Sequence, residues 1–299
     1  MSGQTARKAL FIINPKAGRR MGRALQSRLT NLFAGNGMRV TTINTRGRGH
    51  AKDICESTGA RYDLVVCAGG DGTLHEVVDG LMQLPSPPRL GYIPAGTCND
   101  VAYSLGLPTR PMDAGHVILR GEARKMDIGR FQDTFFVYVA CFGMFSDVSY
   151  MTSQLQKNQI GRLACFFEAV KRMRRIPSHR VRIEYDGGAI EDEFAFCSIT
   201  NTQRIGGGII HFPASDTLLD DGLFEMLLIK KPSGLPALAR VISQLYHRRY
   251  DSQSVYLLHT SSARLRCDIP IQWTLDGENG GAHREVRIEN RRHGINIIT

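Results

Sequence analysis

The chain reads as an α/β protein in two parts: an N-terminal Rossmann-like parallel sheet with helices on both faces, then a C-terminal β-sandwich. Three observations predict this. From residue 8 to about 125, short apolar runs alternate with stretches of helical periodicity, the pattern of strands joined by crossover helices. Beyond about 125 the runs alternate apolar and polar residues, as in antiparallel sheets with one buried face. Between an apolar run and a helix stands a glycine turn, Gly69-Gly70-Asp71-Gly72-Thr73, at the carboxyl end of a strand, where open α/β sheets bind ligands.

The elements follow in order. Ala9-Leu10-Phe11-Ile12-Ile13 predicts the first strand, with Asn14-Pro15-Lys16-Ala17-Gly18 as its exit loop. Met21, Leu25, Leu29, Leu32 and Phe33 share one face of a helix over about 20–34. Further strands are predicted near 38–43, 63–68 and 90–93, and helices near 49–58, 73–82, 98–104 and 111–120. In the second part, strands are expected over 135–140, 181–185, 194–199, 223–229, 255–259, 264–267 and 285–288, with helices near 160–176 and 234–247. The boundary is set at 128, giving domains 1–128 and 129–299.

Three glycines in four positions allow positive φ and close approach of a ligand to the backbone. Thr73 and Glu76 have the spacing of a capping box, which places a helix start there, and a helix N-terminus favours phosphate. Thr97 and Asp100, after Pro94-Ala95-Gly96, repeat a capping pattern. Asp71 lies inside the turn, where it could hold a metal ion or orient a ligand. Far along the chain, Leu275-Asp276-Gly277-Glu278 forms an acidic turn; two carboxylates two apart at a strand end point to one side. One could accept a proton while the other orients its neighbour or Mg²⁺. Asp-Gly is also a strong hairpin signal in its own right. Other motifs fail: the chain has no G-x-x-x-x-G-K-[ST] loop and no G-x-S-x-G elbow, and His75-Glu76-Val77-Val78-Asp79 is one residue short of a zincin helix.

Composition narrows the classes. A net charge of +10 over 299 residues, with clusters at Arg19-Arg20-Arg23, Arg46/Arg48, 171–175, Arg248-Arg249 and Arg291-Arg292, suits an anionic partner. No zinc-finger or RNA-recognition signature supports nucleic acid. Seven cysteines without a Cys-x-x-Cys pair predict reduced, mostly buried thiols. No run has the form of a signal peptide or of a membrane span, so a cytoplasmic location is expected. Basic residues near anionic lipid contribute roughly 1 kcal/mol each, enough for peripheral attachment. The basic segment 160–175 is amphipathic; it could lie on a membrane, or pack on its own domain.

Taken together, the Asn-Pro-x-x-Gly start, the glycine-aspartate turn, the Pro-x-Gly-Thr-x-Asn-Asp segment and the late Leu-Asp-Gly-Glu turn, in this order over nearly the whole chain, resemble the soluble diacylglycerol kinase catalytic family. That family is related to the sphingosine and ceramide kinases and has an NAD kinase/diacylglycerol kinase-like fold. The resemblance implies an ATP- and Mg²⁺-dependent lipid kinase that makes phosphatidic acid from diacylglycerol. It places Asn14, Pro15, Lys16, Ala17, Gly18, Thr45, Gly69, Gly70, Asp71, Gly72, Thr73 and Thr97 at the nucleotide, and the base at Asp276 or Glu278, which are not separated here. It also implies a Mg²⁺ site from the Asp221 side chain and the carbonyls of Leu218 and Leu223, after Gly206-Gly207-Gly208 and Pro213-Ala214, although the stretch from Pro213 to Asp221 is longer than the family spacing. Asp127 would join the charges around that metal. In the family the last strand folds back toward the first domain, and Ile295-Asn296-Ile297-Ile298 could do so here.

Two other enzyme readings stay open, a kinase of a sphingoid base or other lipid alcohol, and an NAD kinase. So does a non-catalytic nucleotide-binding regulator. A homodimer is left open.

Overall fold

The structure, a computed structural model, describes residues 7–17, 21–143, 178–207, 210–212, 218–251 and 253–299. Gly18, Arg19-Arg20, the segment 160–176, Gly208 and Pro213-Ala214 lie outside the described residues.

The first half alternates as expected: β1 (Lys8–Ile13), α1 (Arg23–Gly35), β2 (Arg39–Asn44), α2 (His50–Thr58), β3 (Leu64–Gly69), α3 (Asp71–Leu81), β4 (Arg89–Pro94), α4 (Asp100–Ser104) and α5 (Pro111–Arg120). Then come β5 (Ala123–Phe131), β6 (Thr134–Phe136), β7 (Val139–Gly143), β8 (His179–Tyr185), β9 (Gly188–Thr200), β10 (Arg204–Ile205), β11 (Ile210–His211) and β12 (Phe224–Lys230). The chain ends with α6 (Leu235–His247), β13 (Val255–Thr260), β14 (Ser262–Leu275) and β15 (Glu278–Ile298).

The class is mixed α/β with a β-sandwich-like second half. β2, β1, β3 and β4 pair in parallel, in that spatial order. The sheet does not stop there. Thirteen strands of the described residues form one sheet in which the other strand pairs are antiparallel, apart from a parallel contact of β15 with β4. A parallel sheet and a sandwich were expected, with the run 295–298 able to fold back toward the first; β15 joins the two. Over its 21 residues it pairs first with β14, then with β5, and ends with Ile297 beside Leu90 of β4. The expected short strand at 285–288 and the run 295–298 are thus the middle and the end of one element.

Apolar clusters explain the layers. Phe11, Ile13, Val66 and Ile93 point to one face of the parallel strands and pack on Leu29 and Phe33 of α1 and on Ala114 and Ile118 of α5. Leu10, Ile12, Val65 and Tyr92 point to the other face, against Ile54 of α2 and Leu74, Val77 and Leu81 of α3. That second cluster continues without a break into Tyr138, Phe196 and Leu227, so both halves share a core. The sandwich has its own core around Trp273, whose ring lies 5.0 Å from Phe142 and 5.2 Å from Phe131. Cys55, Cys67, Cys141 and Cys197 are buried free thiols; burial raises their pKa values, to about 12 for Cys55 and Cys141.

Candidate active site

The exits of β1, β3 and β4 lie side by side and are tied to one another. Asn14 N–H donates to Ala68 O (2.9 Å), Thr45 N–H to Ile13 O (2.8 Å), and Ala95 N–H to Gly69 O (2.7 Å). Asn14 Nδ2 reaches Thr73 Oγ1 at 3.0 Å, and Lys16 N–H donates to Asn14 Oδ1. The turn after β4 is closed by Asn99: its Oδ1 accepts from Gly96 N–H and its Nδ2 donates to Gly96 O, both at 2.9 Å. Asn99 sits at φ 50°, a left-handed conformation that asparagine tolerates. The two glycine turns meet face to face. A Cβ at Gly96 would lie 2.6 Å from Gly70 Cα, so Gly96 has no room for a side chain, and one at Gly70 would lie 3.1 Å from Gly96 Cα, a tight fit.

Both capping patterns read from the sequence are used otherwise. Helix α3 starts after Gly70 with no side-chain cap, and α4 starts after Asn99 in the same way. Glu76 instead accepts the N–H groups of Gly49 (2.7 Å) and Ala51 (3.1 Å), capping α2. Asp71 Oδ2 accepts Asp100 N–H at 3.2 Å, at the start of α4. Local spacing suggested self-capping; tertiary contact between helix ends decided it.

Asp71, His75 and Asp79 are four residues apart on α3 and so share a face. Asp79 accepts Phe135 N–H (3.0 Å) and pairs with Lys52 Nζ (2.8 Å). His75 Nδ1 lies 2.8 Å from Asp276 Oδ2, and since a carboxylate only accepts, the ring donates there. Burial alone would lower the His75 pKa, but the hydrogen bond and charge of Asp276, with Asp79 and Glu278 beyond, raise it.

Asp276 is 3 % exposed. Besides His75 it accepts three backbone N–H groups, from Val137 (2.6 Å), Tyr138 (2.9 Å) and Val139 (2.9 Å). These contacts split the strand expected over 135–140: β6 and β7 end and begin around the Asp276 carboxylate. Asp276 and Gly277 have φ of 51° and 86°, and Leu275 pairs with Glu278, so the acidic turn is a two-residue hairpin. Glu278, by contrast, is partly open. Its Oε2 pairs with Arg48 Nη2 at 3.0 Å, and its Oε1 lies 3.0 Å from where a Gly72 Cβ would stand.

A pocket of about 530 Å³ opens between these loops. Asn14, Lys16, Ala17, Thr45, Gly70, Gly72, Thr73, Thr97 and Glu278 line it, as the sequence led one to expect. Pro15, Gly69, Asp71 and Asp276 are not on its wall. Arg46, Gly47, Arg48, Glu76 and Gly96 are, and the sequence reading did not assign them to the nucleotide. Two signals were present: the basic pair before α2, and the acidic residue four positions after Gly72. A larger hollow, about 660 Å³, lies on the second half, but its Arg264 and Glu285 pair with each other and no glycine turn faces it.

Asp71 lies just beneath the pocket. Its Oδ1 is buried with no hydrogen-bond partner. Burial, with the charges of Asp100 and Asp276, pushes its carboxyl up to about 7, against the lowering pull of the Asp100 and Val101 N–H groups. An orphaned oxygen on a largely buried carboxylate suits a hard cation. The residues expected around Asp221 lie in a loop away from the pocket wall. Asp221 Oδ1 accepts Leu223 N–H (2.9 Å), Leu223 O accepts from Asn290 Nδ2 (3.3 Å), and the Leu218 side chain is exposed. Asp127, fully buried, spends both oxygens on backbone, accepting Gly222 N–H and His293 N–H at 2.6 Å each. It anchors this loop to the bulge of β15, where pairing shifts between Arg291 and Ile295. Among the described residues, no three His, Cys, Asp or Glu side chains gather as a metal cluster.

Comparison with known proteins identifies the family. Residues 8–131 match the family described as "Diacylglycerol kinase catalytic domain", and residues 139–297 the "YegS C-terminal NAD kinase beta sandwich-like domain". The chain is 31% identical over 279 residues to the "Diacylglycerol kinase" of Bacillus subtilis (strain 168), covering 92% of this chain and 91% of that one. To the "Diacylglycerol kinase" of Staphylococcus aureus (strain JH9) it is 31% identical over 278 residues, covering 92% and 87%. A solved diacylglycerol kinase structure from Bacillus anthracis str. Sterne shares the fold at a TM-score of 0.75 and 24% identity, covering 98% of this chain and 96% of that one. Another solved chain from that organism superposes at 0.81, also at 24% identity, covering 98% and 97%.

The family-model match and the curated relatives mark the chain as an enzyme of the kinase class. The chain belongs to the diacylglycerol kinase family.

Proposed function

We propose that this protein transfers the γ-phosphate of ATP to the free hydroxyl of diacylglycerol, giving phosphatidic acid and ADP. The observation that carries the reading is the pocket itself: glycine turns from three strand ends, three cations (Lys16, Arg46 and Arg48) and Glu278, the carboxylate on the wall not committed to a helix cap, facing one space. The parallel end acts as a Rossmann-like nucleotide-binding domain over 1–128, and 129–299 forms the lipid-facing sandwich domain.

Phosphoryl transfer depends on positioning and charge neutralisation. Backbone N–H groups at Gly70 to Gly72, at the start of α3, hold the phosphates, with Asn14 keeping Thr73 in place. Asp71 is the side chain that would hold Mg²⁺, which supplies charge neutralisation at the phosphates when bound. The acceptor oxygen forms a bond to the γ-phosphorus as the bond to the β,γ-bridging oxygen breaks, and ADP departs with that electron pair. Glu278 takes the hydroxyl proton. Asp276, with every contact buried, positions the hairpin and His75. All these residues come from one chain, so the reading needs no second copy. The basic surface would hold the enzyme on an anionic membrane; no helix of the described residues is long and apolar enough to cross one.

The test is transfer of labelled phosphate from ATP with Mg²⁺ to diacylglycerol, sphingoid base and NAD, each offered separately, the lipids in mixed micelles. Labelled phosphatidic acid is the expected product. Labelled NADP, or transfer only to the sphingoid base, would overturn the choice of acceptor.

A further inference from the structure

Arg48 was singled out in the sequence only as half of a basic pair. In the structure its guanidinium is the partner of Glu278, Nη2 to Oε2 at 3.0 Å. The pair is open to water, with side chains 66% and 37% exposed, and such pairs are weak and readily exchanged. The other Glu278 oxygen hangs over Gly72, in the first turn of α3, 3.0 Å from the place of its missing Cβ. A carboxylate there uses the positive end of the helix, the position a phosphate would take. The remaining acid on the pocket wall, Glu76, is already committed to capping α2. The free site thus carries its own anion, held by the cation best placed to meet an incoming one.

We propose that Arg48 is a phosphate-binding residue that changes partners: in the free enzyme it holds Glu278 over the start of α3, and when ATP enters it turns to the terminal phosphate and releases the Glu278 carboxylate for the acceptor hydroxyl. This rests on the assignment of the pocket to ATP and of Glu278 to the proton. An arginine fork matches phosphate oxygens better than a lysine does, and charge-assisted pairs with phosphate are stronger than the exposed ion pair they replace. The exchange also orders the steps, since Glu278 is freed only when a phosphate is present to be transferred.

The test separates nucleotide binding from lipid chemistry. ATP with Mg²⁺, and AMP, are titrated calorimetrically into wild-type protein, Arg48→Gln, Arg48→Lys and Glu278→Gln, without lipid, and transfer to diacylglycerol is measured beside them. Arg48→Gln should weaken ATP about tenfold, the loss of one charge-assisted contact, and leave AMP unchanged. Arg48→Lys should recover part of that loss. Glu278→Gln should tighten ATP severalfold, because the competing carboxylate is gone. ATP binding in Arg48→Gln within about twofold of wild type, or an equal loss for AMP, overturns the proposal. Transfer by wild type with no response to Arg48→Gln removes the exchange and keeps the kinase. The expected ATP responses without transfer to any lipid keep the exchange and remove the lipid reading, and a wild type that binds no ATP removes both.

Discussion

Replacing Asp276 with asparagine separates two roles that the acidic turn could combine. The carboxylate accepts three backbone N–H groups, at 2.6, 2.9 and 2.9 Å, and the His75 ring at 2.8 Å. Asparagine has one acceptor oxygen, and its amide would turn a donor toward at least one of those donors. Each buried group left unpaired costs about 1–3 kcal/mol, and breaking the buried pair with His75 adds to this, so Asp276→Asn should lose about 3–5 kcal/mol. Glu278→Gln, at a half-open position, should stay within about 0.5 kcal/mol of wild type. The assay is urea unfolding of both variants beside phosphoryl transfer. Transfer should fall by about 10²–10⁴ in Glu278→Gln, the worth of a general base, with folding intact. The reasoning fails if Asp276→Asn unfolds at the wild-type midpoint yet transfers nothing, for then Asp276 and not Glu278 handles the proton.

Three further outcomes follow from the site. The raised His75 pKa means its pairing with Asp276 stabilises the fold fully below the unfolded value of 6.5 and is lost as pH rises through the folded value; the urea midpoint of wild type, but not of His75→Asn, should fall from pH 6 toward 8 for this reason. The Asp71 carboxyl is raised from 3.8 to about 7, so burying it costs stability increasingly as pH climbs between those values; Asp71→Asn should raise the melting temperature of metal-free protein at pH 8, abolish most transfer and remove the shift that Mg²⁺ gives wild type. A Cβ at Gly96 would meet Gly70 Cα at 2.6 Å, a backbone contact that no rotamer relieves; Gly96→Ala should cost about 1–3 kcal/mol in unfolding experiments and weaken ATP in titration.

The three inner parallel strands, β1, β3 and β4, were legible because they are buried on both faces and so appear as unbroken apolar runs, as in Leu64-Val65-Val66-Cys67-Ala68. Their exits were legible because glycine and asparagine mark places where backbone must approach backbone, as Gly70 approaches Gly96. Much of the pocket followed from that. What was hidden depends on partners distant in sequence. The break between β6 and β7 is made by Asp276, which follows Val137 by 139 residues. Glu76 looked like part of the cap of its own helix, but it caps α2. Asp127 was expected near Asp221, but that both its oxygens hold backbone from two other segments could not be read from its neighbours in sequence. Arg48 and Glu278 are separated by most of the chain, and only folding shows that they meet.

The most direct measurement is ADP release by the purified protein with ATP, Mg²⁺ and diacylglycerol in mixed micelles, followed together with the phosphorylated lipid. One phosphatidic acid per ADP, dependent on diacylglycerol and lost in Glu278→Gln while ATP still binds, is the result expected of a diacylglycerol kinase with its base at the end of that hairpin. ADP release that ignores diacylglycerol, or full transfer by Glu278→Gln, would contradict it.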